Sequence, residues 1–233
     1  MTDLAERFAT LTTPHLADAC IRLGLPVRCA PSGLQSMTPG VRLIGRVLPV
    51  RHVGSVDLIL EALEGASTGD VLVVDNEARL DEACVGDLMV LEAVGAGIAG
   101  LVIWGLHRDT EDIAAIGVPV FSLGTMPTGP QRVDARPAHA LESATVGEWT
   151  VTAADVVAGD DDGVLFLSGE RADEVFATAE GIRDTERRQA DLIRGGTSLR
   201  EQVGFAAYLA ARSANPALTF RDHLRGVGGE IEV

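Results

Sequence analysis

Apolar positions along the chain repeat with helical spacing in some segments and form short continuous runs in others. Helical spacing follows Thr13-Pro14, a favourable helix start, and recurs over residues 86–94, where Leu88, Leu91 and Val94 fall on one face. The apolar runs predict strands over residues 41–53, 71–74, 101–104 and 118–123, with a short helix over 110–116. This alternation of strand and helix predicts an α/β layered core.

The pattern changes after residue 141. Short strands around Val151, Val156 and Val164, two of them joined by the turn GDDDG, predict an antiparallel addition to the core. Charge-rich segments over residues 170–194 and 198–212 predict helices. We therefore predict one domain over residues 1–213 and a C-terminal arm or partly ordered tail over residues 214–233.

The charge balance restricts the classes of partner. The chain has 233 residues with 34 acidic and 19 basic side chains, a formal net charge of −15, so its surface repels phosphate backbones and we expect no nucleic-acid partner. No apolar run approaches the ~18 residues of a membrane span, and acids stand where a signal peptide carries bases. We expect no membrane contact and a cytoplasmic location. The three cysteines lack metal-ligand spacing, which favours free thiols.

Two motifs suggest nucleotide chemistry, and the sequence argues against both. The triplet His107-Arg108-Asp109 resembles a kinase catalytic loop, but Ala114 stands where that loop needs an asparagine, and the chain contains no lysine. Gly95, Gly97 and Gly100 spell G-x-G-x-x-G between a helix and a strand, the reverse of the order in dinucleotide sites. We interpret these glycines as a helix stop and crossover, which leaves no candidate cofactor site for a methyltransferase.

The remaining candidate residues lie at the ends of predicted elements. Arg108 and Asp109 follow the strand over residues 101–104, at the sheet edge where ligands usually bind. Asp87 opens a separate helix, and its neighbours Gly86, Leu88 and Met89 offer free backbone N–H groups at the N-terminus, a natural seat for a carboxylate. Alternatively, Asp87 and Asp109 simply cap helices and Arg108 is a solvated loop residue. The residue types alone leave both interpretations open.

The order and spacing of four motifs give a resemblance to a known family. Asp87, Arg108 and Asp109 form a D-x20-R-D pattern, and they stand in order with GDVLVVD (residues 69–75), GDLM (86–89) and DDDGVLFL (160–167). Together they resemble the 4-hydroxy-4-methyl-2-oxoglutarate aldolases, a family that includes the regulators of ribonuclease activity A (RraA-like). The resemblance implies a layered, swivelling β/β/α-type fold with a mixed central sheet and C-terminal helices. It also implies a homotrimer or homohexamer with active sites between subunits.

The resemblance implies a lyase. Its members are metal-dependent (class II) aldolases that cleave 4-hydroxy-2-oxo acids to pyruvate by a retro-aldol reaction, often with oxaloacetate decarboxylase activity. By matching position, Asp109 would ligate Mg²⁺ or Mn²⁺, Arg108 would contact the 2-oxo acid, the backbone of residues 86–89 would hold its carboxylate, and Asp87 would orient a water. The chemistry is coherent, because both reactions leave a pyruvate enolate and a chain without lysine cannot form an imine. The alternative function is a non-catalytic regulator that binds a ribonuclease.

The sequence departs from the family pattern at two positions near this motif. Trp104 stands where members commonly carry aspartate, and His107 where they carry a small apolar residue. We interpret Trp104 as a core ring at a strand end. His107 is either a proton shuttle or an exposed loop residue. A glutamate that a neighbouring subunit contributes in aldolase members has two candidates here, Glu186 and Glu201.

Overall fold

The computed structural model describes residues 2–227. Its helices are α1 (Thr2–Phe8), α2 (Thr13–Arg22), α3 (Asp57–Glu64), α4 (Asp87–Gly95), α5 (Thr110–Ile116), α6 (Ala172–Arg194), α7 (Leu199–Gln202), α8 (Phe205–Ala214) and α9 (Phe220–Val227). Its strands are β1 (Arg28–Cys29), β2 (Gln35–Ser36), β3 (Leu43–Arg51), β4 (Val71–Asp75), β5 (Ala83–Val85), β6 (Gly100–Trp104), β7 (Leu106–His107), β8 (Val120–Ser122), β9 (Ser143–Val146), β10 (Trp149–Thr152), β11 (Asp155–Asp160) and β12 (Gly163–Ser168). The four predicted strands and the predicted helix over residues 110–116 all form.

A mixed eight-stranded sheet organises the chain, in the order β1-β12-β11-β3-β4-β6-β8-β2. Strands β3, β4, β6 and β8 pair in parallel, and the remaining neighbours pair antiparallel. All five residues of β4 are buried, as expected for a parallel strand covered on both faces. The predicted fold class, a mixed central sheet with C-terminal helices, is confirmed.

Alternate residues of the parallel strands pack against different layers. Leu72 and Val74 of β4 pack against α3, α4 and α5, whereas Val71 and Val73 face a core formed with Phe121 and the β9–β10 hairpin. A third core lies between α1, α2, α6 and the antiparallel strands β11 and β12. This arrangement follows from the two-residue repeat of a strand.

The predicted antiparallel addition after residue 141 forms, but its four strands lie in two places. Strands β9 and β10 form a separate hairpin, but β11 and β12 belong to the main sheet, because β11 pairs with β3 in the register Val157 to Gly45. All six residues of β11 are buried. A strand buried along its whole length takes a central place in the sheet, which the short apolar run did not reveal.

The G-x-G-x-x-G segment is the predicted helix stop and crossover. Gly95 is the last residue of α4, and Gly97 has a φ of +84°, which favours glycine. A Cβ on Gly100 would lie 2.5 Å from Leu43 Cδ1 and 2.7 Å from the carbonyl oxygen of Pro119. Gly100 therefore allows β6 to enter the sheet closely packed against its neighbours.

The face of α4 that carries Leu88, Leu91 and Val94 is not its buried face. Val90 and Ala93 are buried, whereas Leu88, Leu91 and Val94 are 69%, 50% and 43% exposed. Apolar residues are distributed around the whole helix, so their spacing does not specify which side packs inward. The chain therefore presents an apolar helix face next to the predicted site.

The C-terminal region is more segmented than predicted. Gly204, with a φ of +59°, divides the predicted helix over residues 198–212 into α7 and α8. Helix α9 packs Phe220 against Phe205 and Tyr208 of α8, with ring centroids 5.5 and 5.0 Å apart. Of the predicted arm or tail over residues 214–233, residues 228–233 lie outside the described residues. Within residues 2–227, no helix is long and apolar enough to span a bilayer.

Candidate functional site

A parallel pair of very short strands brings the predicted site residues together. In this pair Ala83 and Val85 of β5 align with Leu106 and His107 of β7. Gly86 directly follows β5, Arg108 directly follows β7, and the Arg108 N–H donates to the Val85 carbonyl oxygen at 3.0 Å. Because both strands end at the same edge, the segments 86–89 and 108–109 meet there. Strands of three and two residues leave no periodic signal, so the sequence did not predict this pair.

Arg108 and Asp109 lie directly over Gly86. A Cβ on Gly86 would be 2.5 Å from Asp109 Oδ2 and 3.2 Å from Arg108 Nε. The φ of Gly86 is −127°, so the glycine supplies space here rather than an unusual backbone conformation. Arg108 Nε lies 3.3 Å from Asp109 Oδ2, and their side chains are 49% and 36% exposed. The three residues form one accessible, closely packed group.

The capping interpretation of both aspartates is wrong. Asp109 occupies the N-cap position of α5, but its side chain makes no capping hydrogen bond, and its backbone is left-handed with φ +60° and ψ +43°. At α4 the N-cap is Gly86, and Asp87 is the first helical residue. The Asp109 carboxylate pairs with Arg108 instead, so Arg108 is also not an isolated solvated residue.

The N-terminus of α4 offers a smaller anion seat than predicted. Within residues 2–227, the N–H groups of Gly86, Asp87 and Leu88 have no hydrogen-bond acceptor, whereas the Met89 N–H donates to the Gly86 carbonyl oxygen at 3.2 Å. The predicted contribution of the Met89 N–H is therefore wrong for this geometry. The remaining free N–H groups and the positive end of the helix dipole lie at Gly86, next to the Arg108 side chain.

His107 is buried, so its interpretation as an exposed loop residue is wrong. The residue is 2% exposed, and its Nδ1 and Nε2 lie 2.8 Å from Ser122 Oγ and 3.3 Å from Thr110 Oγ1. Burial lowers the pKa of the His107 imidazole, although the Gly124 backbone and the Asp109 charge oppose that shift. A proton-shuttle role stays a prediction. Trp104 is half-buried at the end of β6 and packs against the core, which confirms its interpretation.

A second polar cluster next to the site was not predicted. Arg132 donates to Glu82 Oε1 at 2.8 Å and to Asn76 Oδ1 at 3.0 Å, and His52 Nδ1 lies 2.9 Å from the same Asn76 oxygen. His52, Asn76 and Glu82 are all buried. The hydrogen-bonded pairs are separated by 24 to 56 residues, so no local pattern could have indicated the cluster.

The Arg132 cluster anchors the segment over residues 128–132, which lies against Arg108. The Ala83 N–H donates to the carbonyl oxygen of Thr128, which precedes Arg132 in the chain, at 2.9 Å. Next to Thr128, a Cβ on Gly129 would lie 3.2 Å from Arg108 Nη1. The guanidinium of Arg108 therefore lies close to both Gly86 and Gly129.

The two candidate glutamates from a neighbouring subunit are engaged within their own chain. Glu186 Oε2 lies 3.0 Å from His15 Nε2, and Glu201 accepts from the Ser198 N–H at 2.8 Å in a capping box. Neither hydrogen-bonds to Gly86, Arg108 or Asp109. Within residues 2–227, no three His, Cys, Asp or Glu side chains cluster as metal ligands. Asp109 offers a partly exposed carboxylate oxygen, a type of ligand that suits a hard ion such as Mg²⁺.

Known proteins resemble this chain over the region that contains the site. A family model described as RraA-like (Aldolase/RraA) matches residues 13–166. A putative 4-hydroxy-4-methyl-2-oxoglutarate aldolase of Halalkalibacterium halodurans is 26% identical over 190 residues, which cover 81% of this chain and 85% of that protein. Protein DlpA of Legionella pneumophila is 28% identical over 211 residues, which cover 86% of this chain but only 33% of that protein. The chain thus spans about a third of the length of DlpA.

A solved structure shares the fold. Streptomyces coelicolor RraAS2, described as an unusual member of the RNase ES inhibitor RraA protein family, matches with a TM-score of 0.70 at 25% identity. The match covers 80% of this chain and 95% of that one.

Proposed function

The chain belongs to the RraA-like family, and from this premise we propose that it is a divalent-metal-dependent lyase that cleaves a 4-hydroxy-2-oxo acid to pyruvate. One observation carries the proposal: the Asp109 carboxylate and the Arg108 guanidinium lie together over Gly86, beside the free N–H groups of Asp87 and Leu88. A relative named a putative aldolase supports it. The same site would decarboxylate oxaloacetate, because that reaction leaves the same enolate.

The residues present suit a hydrated Mg²⁺ or Mn²⁺ ion. Asp109 is partly exposed, makes no capping bond, and faces a position where the missing Cβ of Gly86 leaves space. We assign Asp109 as the protein ligand, with water in the other positions. When bound, the ion supplies positive charge that stabilises the enolate oxygen of the product.

The other groups bind and orient the substrate. The substrate carboxylate accepts from the N–H groups of Asp87 and Leu88 at the positive end of α4. Arg108, which lies close to Gly86 and Gly129, offers a planar fork to the 2-oxo group and carboxylate. Because negative charge develops on the 2-oxo oxygen as the bond breaks, this preorganised guanidinium binds the transition state more tightly than the substrate.

The retro-aldol step balances with these residues. The C3–C4 bond breaks, its electron pair forms the pyruvate enolate, the C4 hydroxyl loses its proton, and C4 becomes a carbonyl. We assign Asp87, at the start of α4, to orient the water that accepts this proton. The enolate then takes up a proton at C3 to give pyruvate.

We further propose that the protein works as a homotrimer or homohexamer. The exposed side chains of Leu88, Leu91 and Val94 form an apolar face on the helix whose N-terminus makes the site, and a second copy would cover this face. Light scattering should then give a mass several times 24.4 kDa, and Leu91→Asp should lower it. A fully active parent at monomer mass would contradict this part of the proposal.

A pyruvate-release assay tests the lyase. Purified protein, stripped of metal and then supplied with Mg²⁺, should release pyruvate from oxaloacetate and from 4-hydroxy-4-methyl-2-oxoglutarate, and Asp109→Asn should not. A buffer with Mg²⁺ alone corrects for the spontaneous decarboxylation of oxaloacetate. Release no faster than this blank from both substrates would refute the lyase.

The second candidate function is a non-catalytic regulator that binds a ribonuclease. The structural match to RraAS2, a member of an RNase ES inhibitor family, favours this candidate. Binding to a purified ribonuclease that Asp109→Asn leaves unchanged, together with no release of pyruvate, would support the regulator over the lyase.

A further inference from the structure

Every polar group of His107, in the backbone and in the ring, has a hydrogen-bonding partner. Its backbone N–H donates to the Gly124 carbonyl oxygen at 3.0 Å, and its carbonyl oxygen accepts from the Met126 N–H at 2.9 Å. Its ring reaches Ser122 Oγ of β8 on one side and Thr110 Oγ1, at the start of α5, on the other. The ring therefore connects the central sheet to the first residue of the helix that follows Asp109.

The turn that His107 spans is conformationally demanding. Asp109 adopts a left-handed backbone, which costs a non-glycine residue free energy, and its side chain does not offset that cost with a capping bond. Such a conformation persists only where surrounding contacts impose it. The contact between the His107 ring and the Thr110 hydroxyl joins the residues on either side of Arg108 and Asp109. This contact links the two ends of the turn.

We propose that His107 is a positioning residue, which acts through the Thr110 hydroxyl to hold the Asp109 turn so that the carboxylate stays over Gly86. This inference rests on the proposed function and assigns a role to a buried side chain whose ring contacts Ser122 and Thr110. Ser122 fixes the ring from the sheet side. Since partners that orient a ligand commonly change metal affinity by tenfold or more, loss of this contact should weaken the metal site.

The test removes the hydroxyl and leaves the histidine in place. Thr110 is exposed, so Thr110→Val should fold like the parent, whereas Thr110→Ser retains the hydroxyl. Thr125→Val makes the same change at an exposed residue that neighbours the His107 backbone and serves as the matched control. Mn²⁺ binding is measured by electron paramagnetic resonance, with thermal unfolding and oxaloacetate decarboxylation on the same samples.

The expected result is a selective change in metal affinity. Thr110→Val should bind Mn²⁺ roughly three- to tenfold more weakly, the scale of one lost hydrogen bond, with an unchanged melting temperature. Thr110→Ser and Thr125→Val should match the parent. At saturating Mn²⁺ the turnover of Thr110→Val should return to within about twofold of the parent, because the hydroxyl positions the ligand and takes no part in the chemistry.

The failures are distinguishable. Parental Mn²⁺ affinity in Thr110→Val, or an equal loss in Thr110→Ser, would overturn the positioning role of His107 while leaving the proposed lyase intact. Turnover that stays low at saturating Mn²⁺ would also overturn it, since the group would then act in the reaction itself. A parent protein that binds no Mn²⁺ would refute the proposed metal site and this inference together.

Discussion

Gly86→Ala tests the geometry of the site with the smallest change available, one methyl group. The new Cβ would lie 2.5 Å from Asp109 Oδ2 and 3.2 Å from Arg108 Nε. The backbone of Gly86 has a φ of −127°, which alanine adopts without strain, so the substitution acts through space alone. The atoms that it displaces belong to the Arg108 and Asp109 side chains, both of which are partly exposed and can move.

The size of the displacement sets the expected effect. Asp109 Oδ2 must move by about 0.9 Å to reach ordinary van der Waals contact at 3.4 Å. A misplacement near 1 Å can cost roughly a hundredfold in rate, because catalysis depends on the alignment of preorganised groups. An alanine at an N-cap position costs no more than about 1 kcal/mol relative to glycine. We therefore expect kcat/KM for oxaloacetate to fall about a hundredfold while the fold is retained.

The assay compares Gly86→Ala with Gly95→Ala, which adds the same methyl at the other end of α4, where a Cβ meets no atom within 4 Å. Pyruvate release, Mn²⁺ affinity and the melting temperature are measured for both variants and the parent. Gly95→Ala should retain parental activity. If Gly86→Ala also retains parental activity and metal affinity, then Asp109 and Arg108 do not act from the positions described, and the site assignment is refuted.

The remaining predictions concern the charge of the site, the metal and a buried histidine. Asp109→Asn should fold normally, because asparagine tolerates a left-handed backbone, but should lose at least about tenfold in Mn²⁺ affinity. Arg108→Lys should bind Mn²⁺ like the parent and lose roughly two to three orders of magnitude in turnover. Equal Mn²⁺ affinities of Asp109→Asn and Arg108→Lys would contradict the separate roles of metal ligand and substrate contact. Stripping the protein of metal with EDTA should abolish pyruvate release, and Mg²⁺ should restore it; full turnover after stripping would refute the metal hypothesis. Borohydride added with substrate should not inactivate the protein, because a chain without lysine has no side chain that forms an imine. Burial lowers the pKa of His52, so its contribution to stability is complete above the unfolded pKa near 6.5 and is lost as the pH falls. In urea unfolding, the free energy of unfolding should therefore fall less between pH 7.5 and pH 5.5 in His52→Gln than in the parent. An equal fall in both proteins would refute this prediction.

The strands and helices that carry the site were predictable because each has a local signal. The apolar runs over residues 71–74 and 101–104 are buried parallel strands, and α5 has the bounds expected from its pattern. The rule that ligands bind at the carboxyl edge of such strands then directed attention to Arg108 and Asp109. Their closeness to Gly86 is what the structure shows, although their roles in binding and catalysis stay predictions.

The local chemistry of the aspartates was not predictable, because the same residue type serves two purposes. Aspartate is a favoured helix cap, and both Asp87 and Asp109 stand at helix starts. Only the backbone geometry separates the alternatives, since the left-handed conformation of Asp109 turns its carboxylate away from capping and toward Arg108.

The sequence by itself determined the alternation of strands and helices, the placement of Arg108 and Asp109 after a buried strand, and, through the absence of lysine, the exclusion of imine chemistry. The tertiary structure decided the pairing of β5 with β7, the exposure of Leu88 on α4 and the burial of His107 between two hydroxyl groups. The physical reason is the separation along the chain of the residues that interact. Periodicity reports how a segment arranges its own side chains, whereas burial and the pairing of very short strands depend on neighbours that are distant in the chain.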